Sequence, residues 1–427
     1  MSRQLSYVLL IVVILLGFAV RLHRLDDVPL RGDEAFSALN WAQMPIQQSL
    51  ANIATIEPHP PLTYVIFHMW NLVIGGIDSP FALRMLGVFG NLIGIPAMYA
   101  LVFLMTRNAG LALLAGFMWA IHPFEVWHSQ DFRNYALWAG LSVTALWLGL
   151  RLRQHRRTVD WLLYGGFALV SGLVFYTELL ILGALGLWYL MRYRQQRRFV
   201  MKFLLVQALV VVVVLVSFYI LQGSLLGSGG YGGNVEPFRA PDYVTRFVPT
   251  LIFGDTMPPE LTRLWLPLSA VVVLSMGIAW TMYRDIMTLL LVLIVVPLAL
   301  LGVASTRMSI FHPRYVLAVV PAFIVLLVLG AHVASRYVCR FLAVPQHLIT
   351  LIILTPWVMI SVLTLHNYYT NPALRKAPAW DELGAFLNDT VTLDDLVVQL
   401  STDSAFGYYY HGVAEDRGLP ASPLQPA

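Results

Sequence analysis

A chain of 427 residues that is 58% hydrophobic and only 12% charged, with a mean hydropathy of +0.71, does not read as a soluble globular protein. Its net charge of +4 is carried by short loops between apolar runs, which gives no basis for a nucleic-acid partner, and its single cysteine, Cys339, excludes an internal disulfide. Apolar runs of bilayer-crossing length recur from end to end, and lipid accepts only spans that satisfy their own backbone. The composition therefore predicts an all-α polytopic membrane protein.

The first run, Leu5 to Val20, follows Arg3 and lacks a small-residue cleavage site after it, so it reads as a retained signal anchor. Helical spans are expected at 5–20, 80–105, 109–123, 134–150, 159–175, 179–191, 201–221, 264–282, 286–304, 315–332 and 345–365, about eleven in all (10–13) by length and hydropathy. The shorter run Leu62 to Ile77, with His68 and Asn71, follows Pro60-Pro61 and is expected to lie on the membrane surface or re-enter. Two long outer segments are expected. Residues 222–263 open with the flexible Gly227-Ser228-Gly229-Gly230-Tyr231-Gly232-Gly233 and reach a short surface helix at Tyr243–Phe247. The tail, 366–427, reads as a small C-terminal segment with a helix at Trp380–Leu387 and a strand at Leu396–Leu400, capping a membrane domain over 1–365.

Loop charges set the orientation. Arg3, Arg107, Arg151, Arg153, Arg156, Arg157, Arg192, Arg194, Arg197, Arg198, Lys202, Arg284, Arg336 and Arg340 fall on one face, against Asp160 and Asp285. The positive-inside rule makes that face cytoplasmic, with the N-terminus, and puts the loop 21–79 and the tail outside.

Four short motifs fall in the outer loops: Asp33-Glu34; Glu57-Pro58-His59-Pro60-Pro61-Leu62; His128-Ser129-Gln130-Asp131-Phe132-Arg133-Asn134-Tyr135; and Phe311-His312-Pro313-Arg314-Tyr315. Acids are scarce here, so a neighbouring pair at the mouth of the bundle stands out. A carboxylate there can take a proton from an acceptor, hold a metal or bind a cation. It can also cap the helix that begins near Ala35. Pro60-Pro61 by itself reads first as a stiff break before a surface helix. Arg133 has a bland alternative in pairing with Asp131.

In order, spacing and sidedness these motifs resemble the GT-C membrane glycosyltransferases, in particular the family 39 branch of protein O-mannosyltransferases and the related aminoarabinose transferases. The resemblance runs from about residue 15 to residue 330. It implies an inverting transfer of a sugar from a polyprenyl-phosphate donor at the outer leaflet to a glycan, lipid or protein acceptor, in the plasma (bacterial inner) membrane. Asp33, with Glu34 beside it, matches the catalytic position, where a base must take the acceptor proton. Arg314, Tyr315 and Arg133 match the donor-phosphate site, where negative charge grows on the leaving group. Tyr135, Pro61 and Leu62 match substrate-binding positions. A divalent metal ion is a second way to meet that charge, with Glu57, His59 and Asp131 as candidate ligands. The third motif departs from the family in carrying Asp131 where a glutamate is usual.

Two other classes fit a polytopic chain. A transporter would place ionisable groups near mid-membrane, whereas residues 201–221 and 286–304 are almost wholly apolar. A non-catalytic assembly or flippase partner for envelope glycans would tolerate loss of Asp33.

Overall fold

The first apolar run folds into α1 (Arg3–Leu22), started by Ser2, whose hydroxyl accepts from Leu5 N at 3.2 Å. The computed structural model describes residues 2–53, 59–223, 238–308, 310–400 and 402–418. Among these, the helical stretches Arg3–Leu22, Pro80–Thr106, Arg197–Gln222, Pro259–Ser305, Pro313–Val338 and Gln346–Thr370 are each long and apolar enough to cross a bilayer. Ala109–Ala120 and Pro123–Ser129, bent by 53°, make a seventh if read as one broken span.

The expected number of spans is thus not met by length alone, for two physical reasons. The runs near 134–150, 159–175 and 179–191 form helices of 17, 17 and 16 residues, Tyr135–Arg151, Thr158–Val174 and Glu178–Tyr193. At 1.5 Å per residue they reach only about 24–26 Å. The spans expected at 264–282 and 286–304 fall in one helix of 41 residues, Trp265–Ser305. That is about 60 Å, roughly twice the hydrocarbon thickness. Tyr283 breaks it with φ −123° and ψ 40°, beside the Arg284-Asp285 turn read from the sequence, and each half is of crossing length.

The helix Val320–Val338 is the centre of the bundle and nearly all of its side chains are buried, whereas Arg3–Leu22 and Arg197–Gln222 present apolar side chains outward, as lipid-facing helices do. Pro80–Leu92 crosses Tyr135–Arg151 where Gly90 meets Gly140; a Cβ on Gly140 would stand 2.1 Å from the Gly90 carbonyl oxygen. Small residues let helix backbones approach in this way. One turn earlier, Gly87 admits the carbonyls of Ser129 and Asp131, each 2.8 Å from where its Cβ would lie. This seats the third motif against the helix that follows the first outer loop.

The loops sort to two ends. At one end Arg192 pairs with Asp285 at 2.7 Å, Arg156 donates to Gln196 at 3.0 Å and Arg107 donates to Gln154. At the other, Arg31 pairs with Asp131 at 3.0 Å, Asp33 faces Arg314 at 3.7 Å and Gln222 donates to the His59 carbonyl at 2.8 Å. The basic loops and the four motifs therefore occupy opposite ends.

The run after Pro60 forms the helix Pro61–Ile74, with Pro61 at its first position, and ends at Gly75, whose φ of +82° suits glycine. Thr63, Tyr64 and Phe67 are buried while Met69, Leu72 and Val73 are exposed, the pattern of a helix with one face to lipid. The surface helix expected at Tyr243–Phe247 is corrected. That turn continues into Val248–Phe253, and Phe247, Leu251 and Phe253 are buried in the main core. The Gly227–Gly233 stretch lies outside the described residues. In the C-terminal segment a helix spans Trp380–Thr390, and Leu396–Gln399 pairs in parallel with Glu415–Gly418. The helix Ser404–Tyr409 packs on Gly32–Ser37. Tyr409 OH accepts from Leu30 N at 2.7 Å and Tyr408 OH donates to the Ile77 carbonyl, so these tyrosines are docking groups.

Candidate active site

Asp33 sits in the short helix Gly32–Ser37, whose first turn hangs on the Arg31 carbonyl, the acceptor for Glu34 N and Ala35 N at 2.9 Å each. The Asp33 carboxylate is half-exposed at 49%. Its backbone is held instead: the carbonyl accepts from Arg133 Nη1 at 3.1 Å and from Ser37 Oγ at 2.9 Å. A rigid backbone carrying an open carboxylate suits a base that must meet an incoming hydroxyl.

Glu34 is the opposite. It is fully buried, and its two oxygens accept from Arg84 Nε and Nη2 at 2.9 Å each, with Phe132 N at 2.8 Å and Arg31 N at 3.3 Å completing the set. Arg84 spends its remaining donors on the carbonyls of Leu25, Val28 and Pro29. The expectation of a catalytic Glu34 is therefore corrected. No lone pair is turned toward an acceptor, and the residue ties three segments together, capping included. Removing one partner of such a pair leaves a buried charge, so Arg84→Met is expected to cost about 3–5 kcal/mol. Thermal unfolding in detergent, with a midpoint several degrees lower, checks it; an unchanged midpoint would contradict it.

Asp131 is also buried. Arg31 Nη2 meets Oδ2 at 3.0 Å, Lys376 Nζ meets Oδ1 at 2.6 Å, and His128 Nδ1 lies 3.6 Å from Oδ2. Burial alone would raise its pKa, but Arg31 and Lys376 hold it well below the usual carboxylate range. Arg133, two residues on, does not pair with it. The Arg133 guanidinium is buried, donating to the Asp33 carbonyl and to Ser37 Oγ at 2.9 Å, facing His59 Nε2 at 3.3 Å, and stacked 4.5 Å from the Trp41 ring centroid. Its Nη1 and Nη2 are therefore turned to Asp33, Ser37 and His59, away from the phosphate-facing placement expected from the sequence.

Arg314 is held by longer side-chain contacts than Arg31, Arg84 and Arg133 are. It is mostly buried, with its side chain 15% exposed, yet poorly satisfied. Nη1 reaches Asp33 only at 3.7 Å, Nη2 reaches Tyr315 OH only at 3.4 Å, and buried Nε has no hydrogen-bond partner. Its guanidinium carbon lies 5.5 Å from the Tyr135 ring centroid and 5.2 Å from that of Tyr315. Tyr135 is buried between Arg314 and Arg133. His312 Nδ1 accepts from Arg314 N at 3.2 Å. Burial, with Arg314 and Arg246 nearby, pushes the His312 ring down to about 2, so it is neutral. Pro61 and Leu62 begin a helix beside the site, half-buried, and Leu62 packs against the main core.

The candidate metal ligands do not form a metal site among the described residues. Glu57 lies outside them. His59 turns Nε2 on the Arg133 guanidinium, which can only donate, so that lone pair is taken. Asp131 faces two cations, an environment that repels a divalent ion. No group of three His, Cys, Asp or Glu that could hold a metal occurs among the described residues.

Several residues at this end were not read from the sequence. Arg84 carried a signal, an arginine in an otherwise apolar span, which is costly unless paired. Arg21, Asn91 and Glu125 form a buried chain beneath the site: Arg21 Nη2 donates to Asn91 Oδ1 at 2.6 Å, and Asn91 Nδ2 to Glu125 Oε2 at 2.6 Å. Lys376 lies in a loop of the C-terminal segment and carried no signal. Glu178, a buried acid that would be costly unpaired, accepts from Trp138 Nε1 at 2.8 Å.

A half-exposed carboxylate thus faces a loosely held arginine at one end of a polytopic helical bundle. The fold is that of known membrane transferases. ArnT from Cupriavidus metallidurans matches in its apo state with a TM-score of 0.60 at 14% identity, over 98% of this chain and 87% of that one. The same protein bound to undecaprenyl phosphate matches at 0.56 and 16% identity, over 97% and 86%. The Archaeoglobus fulgidus oligosaccharyltransferase AglB, in complex with an inhibitory peptide and a dolichol-phosphate, matches at 0.60 and 11% identity, over 96% of this chain and 64% of that one. No family model matches the sequence, and no curated protein matches it by sequence. The chain thus shares its fold with ArnT and AglB.

Proposed function

We propose that the chain is an inverting glycosyltransferase that moves a sugar from a polyprenyl-phosphate donor to a glycan, lipid or protein acceptor. The observation that carries this is the Asp33–Arg314 pair: an open carboxylate on a fixed backbone, facing a guanidinium whose donors are largely unspent. The bound undecaprenyl phosphate of ArnT and dolichol-phosphate of AglB support a lipid phosphate as the anion.

In this reading the Asp33 carboxylate takes the proton of an acceptor hydroxyl while that oxygen attacks the anomeric carbon. The bond from that carbon to the phosphate oxygen breaks with inversion, and Arg314 donates to the leaving lipid phosphate. At 3.7 Å the pair stands too close for a sugar to lie between them, so the donor phosphate draws Arg314 away from Asp33 on binding. Tyr315 offers a hydroxyl beside Arg314 and an apolar ring toward the prenyl chain. Tyr135 backs both arginines, and Pro61 and Leu62 wall the site. Arg133, Glu34 and Arg84 fix the turn that carries Asp33. No step passes through a metal ion, since His59 and Asp131 are turned to cations; AglB has also been crystallised with Zn and sulfate.

The membrane domain, 1–365, and the C-terminal segment, 366–427, act together in this account. The site and the segment face the outside of a bacterial inner membrane, with the N-terminus in the cytoplasm, because the basic loops lie at the opposite end. Cysteine labelling on a Cys339→Ser background tests that placement. An impermeant reagent is expected to leave His155→Cys unlabelled in intact cells and to label Leu393→Cys. The reverse pattern would invert the orientation and the donor leaflet with it. Label from a polyprenyl-phosphate sugar appearing in an acceptor pool, and its loss in Asp33→Asn, tests the function itself.

A further inference from the structure

We propose that Lys376, brought in by the C-terminal segment, is a positioning residue for the transfer site. The inference rests on the transferase reading above and extends it to a part of the chain that carries none of the four motifs.

After the helix Gln346–Thr370 the chain turns back toward the bundle and drives Lys376 into it, leaving its side chain 4% exposed. The ammonium donates to Asp131 Oδ1 and to the Trp127 carbonyl, each at 2.6 Å, and lies 4.4 Å from the Trp127 ring centroid and 5.5 Å from that of Tyr368. A lysine is seldom buried unless it is paired, and this one is paired with the acid of the third motif. Asp131 passes the contact on: its other oxygen takes Arg31 Nη2 at 3.0 Å. Arg31 supplies the carbonyl on which the first turn of Gly32–Ser37 hangs, and Asp33 is the second residue of that helix. The path from Lys376 to the base therefore has two side-chain links and one helical turn. Each half of Asp131 has one dedicated cation, so loss of either leaves a buried oxygen without its partner. Lys376 and Arg84 also share the wall of a cavity of about 310 Å³, so both buried carboxylates near Asp33 are held by cations from that side.

The test uses the full chain in detergent or vesicles with donor and acceptor varied separately. Turnover is expressed per folded molecule. Lys376→Met keeps the stem that packs on Trp127 and removes the charge. It is expected to lower kcat about tenfold or more while shifting the donor KM by less than about twofold, the pattern of a displaced base with its donor site intact. Lys376→Arg is expected to regain part of the loss, since a guanidinium can still pair with Asp131. Adding Lys376→Met to Asp131→Asn is expected to cost little more than Asp131→Asn alone, because the two share one contact. A residue that only stabilises the fold would lower the melting point and leave per-molecule kcat unchanged. That result, or full additivity in the double variant, overturns the proposal. Should Lys376→Met not fold, Lys376→Arg at wild-type kcat, with Lys376→Gln equal to it, overturns it as well. Asp33→Asn run alongside separates the two readings. A fully active Asp33→Asn removes the transferase reading, whereas an inactive one with normal Lys376 variants removes this proposal alone.

Discussion

Asp33→Asn is expected to abolish sugar transfer while leaving the fold and donor binding intact. The substitution is nearly isosteric, and among the described residues the Asp33 side chain makes no hydrogen bond that holds the bundle; what fixes this turn is its backbone carbonyl, through Arg133 and Ser37. An amide cannot take the acceptor proton. General-base catalysis contributes about 10²–10⁴-fold, so turnover should fall by at least about a hundredfold. Labelled sugar moved from a polyprenyl-phosphate donor measures it, with melting temperature and donor affinity as controls. Near-normal turnover would take Asp33 out of the chemistry and favour a non-catalytic role in envelope-glycan assembly.

Arg314→Ala should strike the donor rather than the acceptor. A hydrogen bond to a charged group is worth roughly 1.5–3 kcal/mol, or about 10–150-fold. If the contact tightens as the phosphate leaves, kcat falls together with kcat/KM for the donor, and the acceptor KM stays put. Arg314→Lys should recover only part, because an ammonium lacks the planar fork that grips a phosphate. Tyr135 and Tyr315, 5.5 and 5.2 Å away, remain to shape the pocket in either variant. Unchanged donor kinetics in Arg314→Ala would move the phosphate elsewhere, and Arg133 is a poor substitute since its guanidinium already serves Asp33, Ser37 and His59.

What was legible in the sequence is what hydropathy and local motifs encode. Apolar runs located the helices, and charge sorted the loops into the two sets that the structure brings together at opposite ends. Proline and glycine marked the ends of Pro61–Ile74. The division of labour within each motif was not legible. Asp33 and Glu34 are neighbours in sequence, yet a single helical turn sends one toward the opening and the other onto Arg84, fifty positions away. Asp131 and Arg133 look like a pair, but Lys376 and Arg31 claim the acid and Trp41 and His59 claim the base. Such partners are set by tertiary packing, here by the approach of Gly87 to the Ser129–Asp131 turn, and no local pattern reports them. The number of spans was hard to read for a similar reason: helices buried inside the bundle, such as Tyr135–Arg151, need not be long enough to cross lipid unaided.

The most direct measurement is the position of a bound polyprenyl phosphate, seen in a structure of the full chain or by crosslinking from its headgroup. The account predicts the phosphate within hydrogen-bond distance of the Arg314 guanidinium, with Arg314 drawn off Asp33 and the prenyl chain running past Tyr315. A phosphate seated instead among Arg151, Arg153, Arg156 and Arg157 at the opposite end, or one that leaves Arg314 untouched, would contradict it.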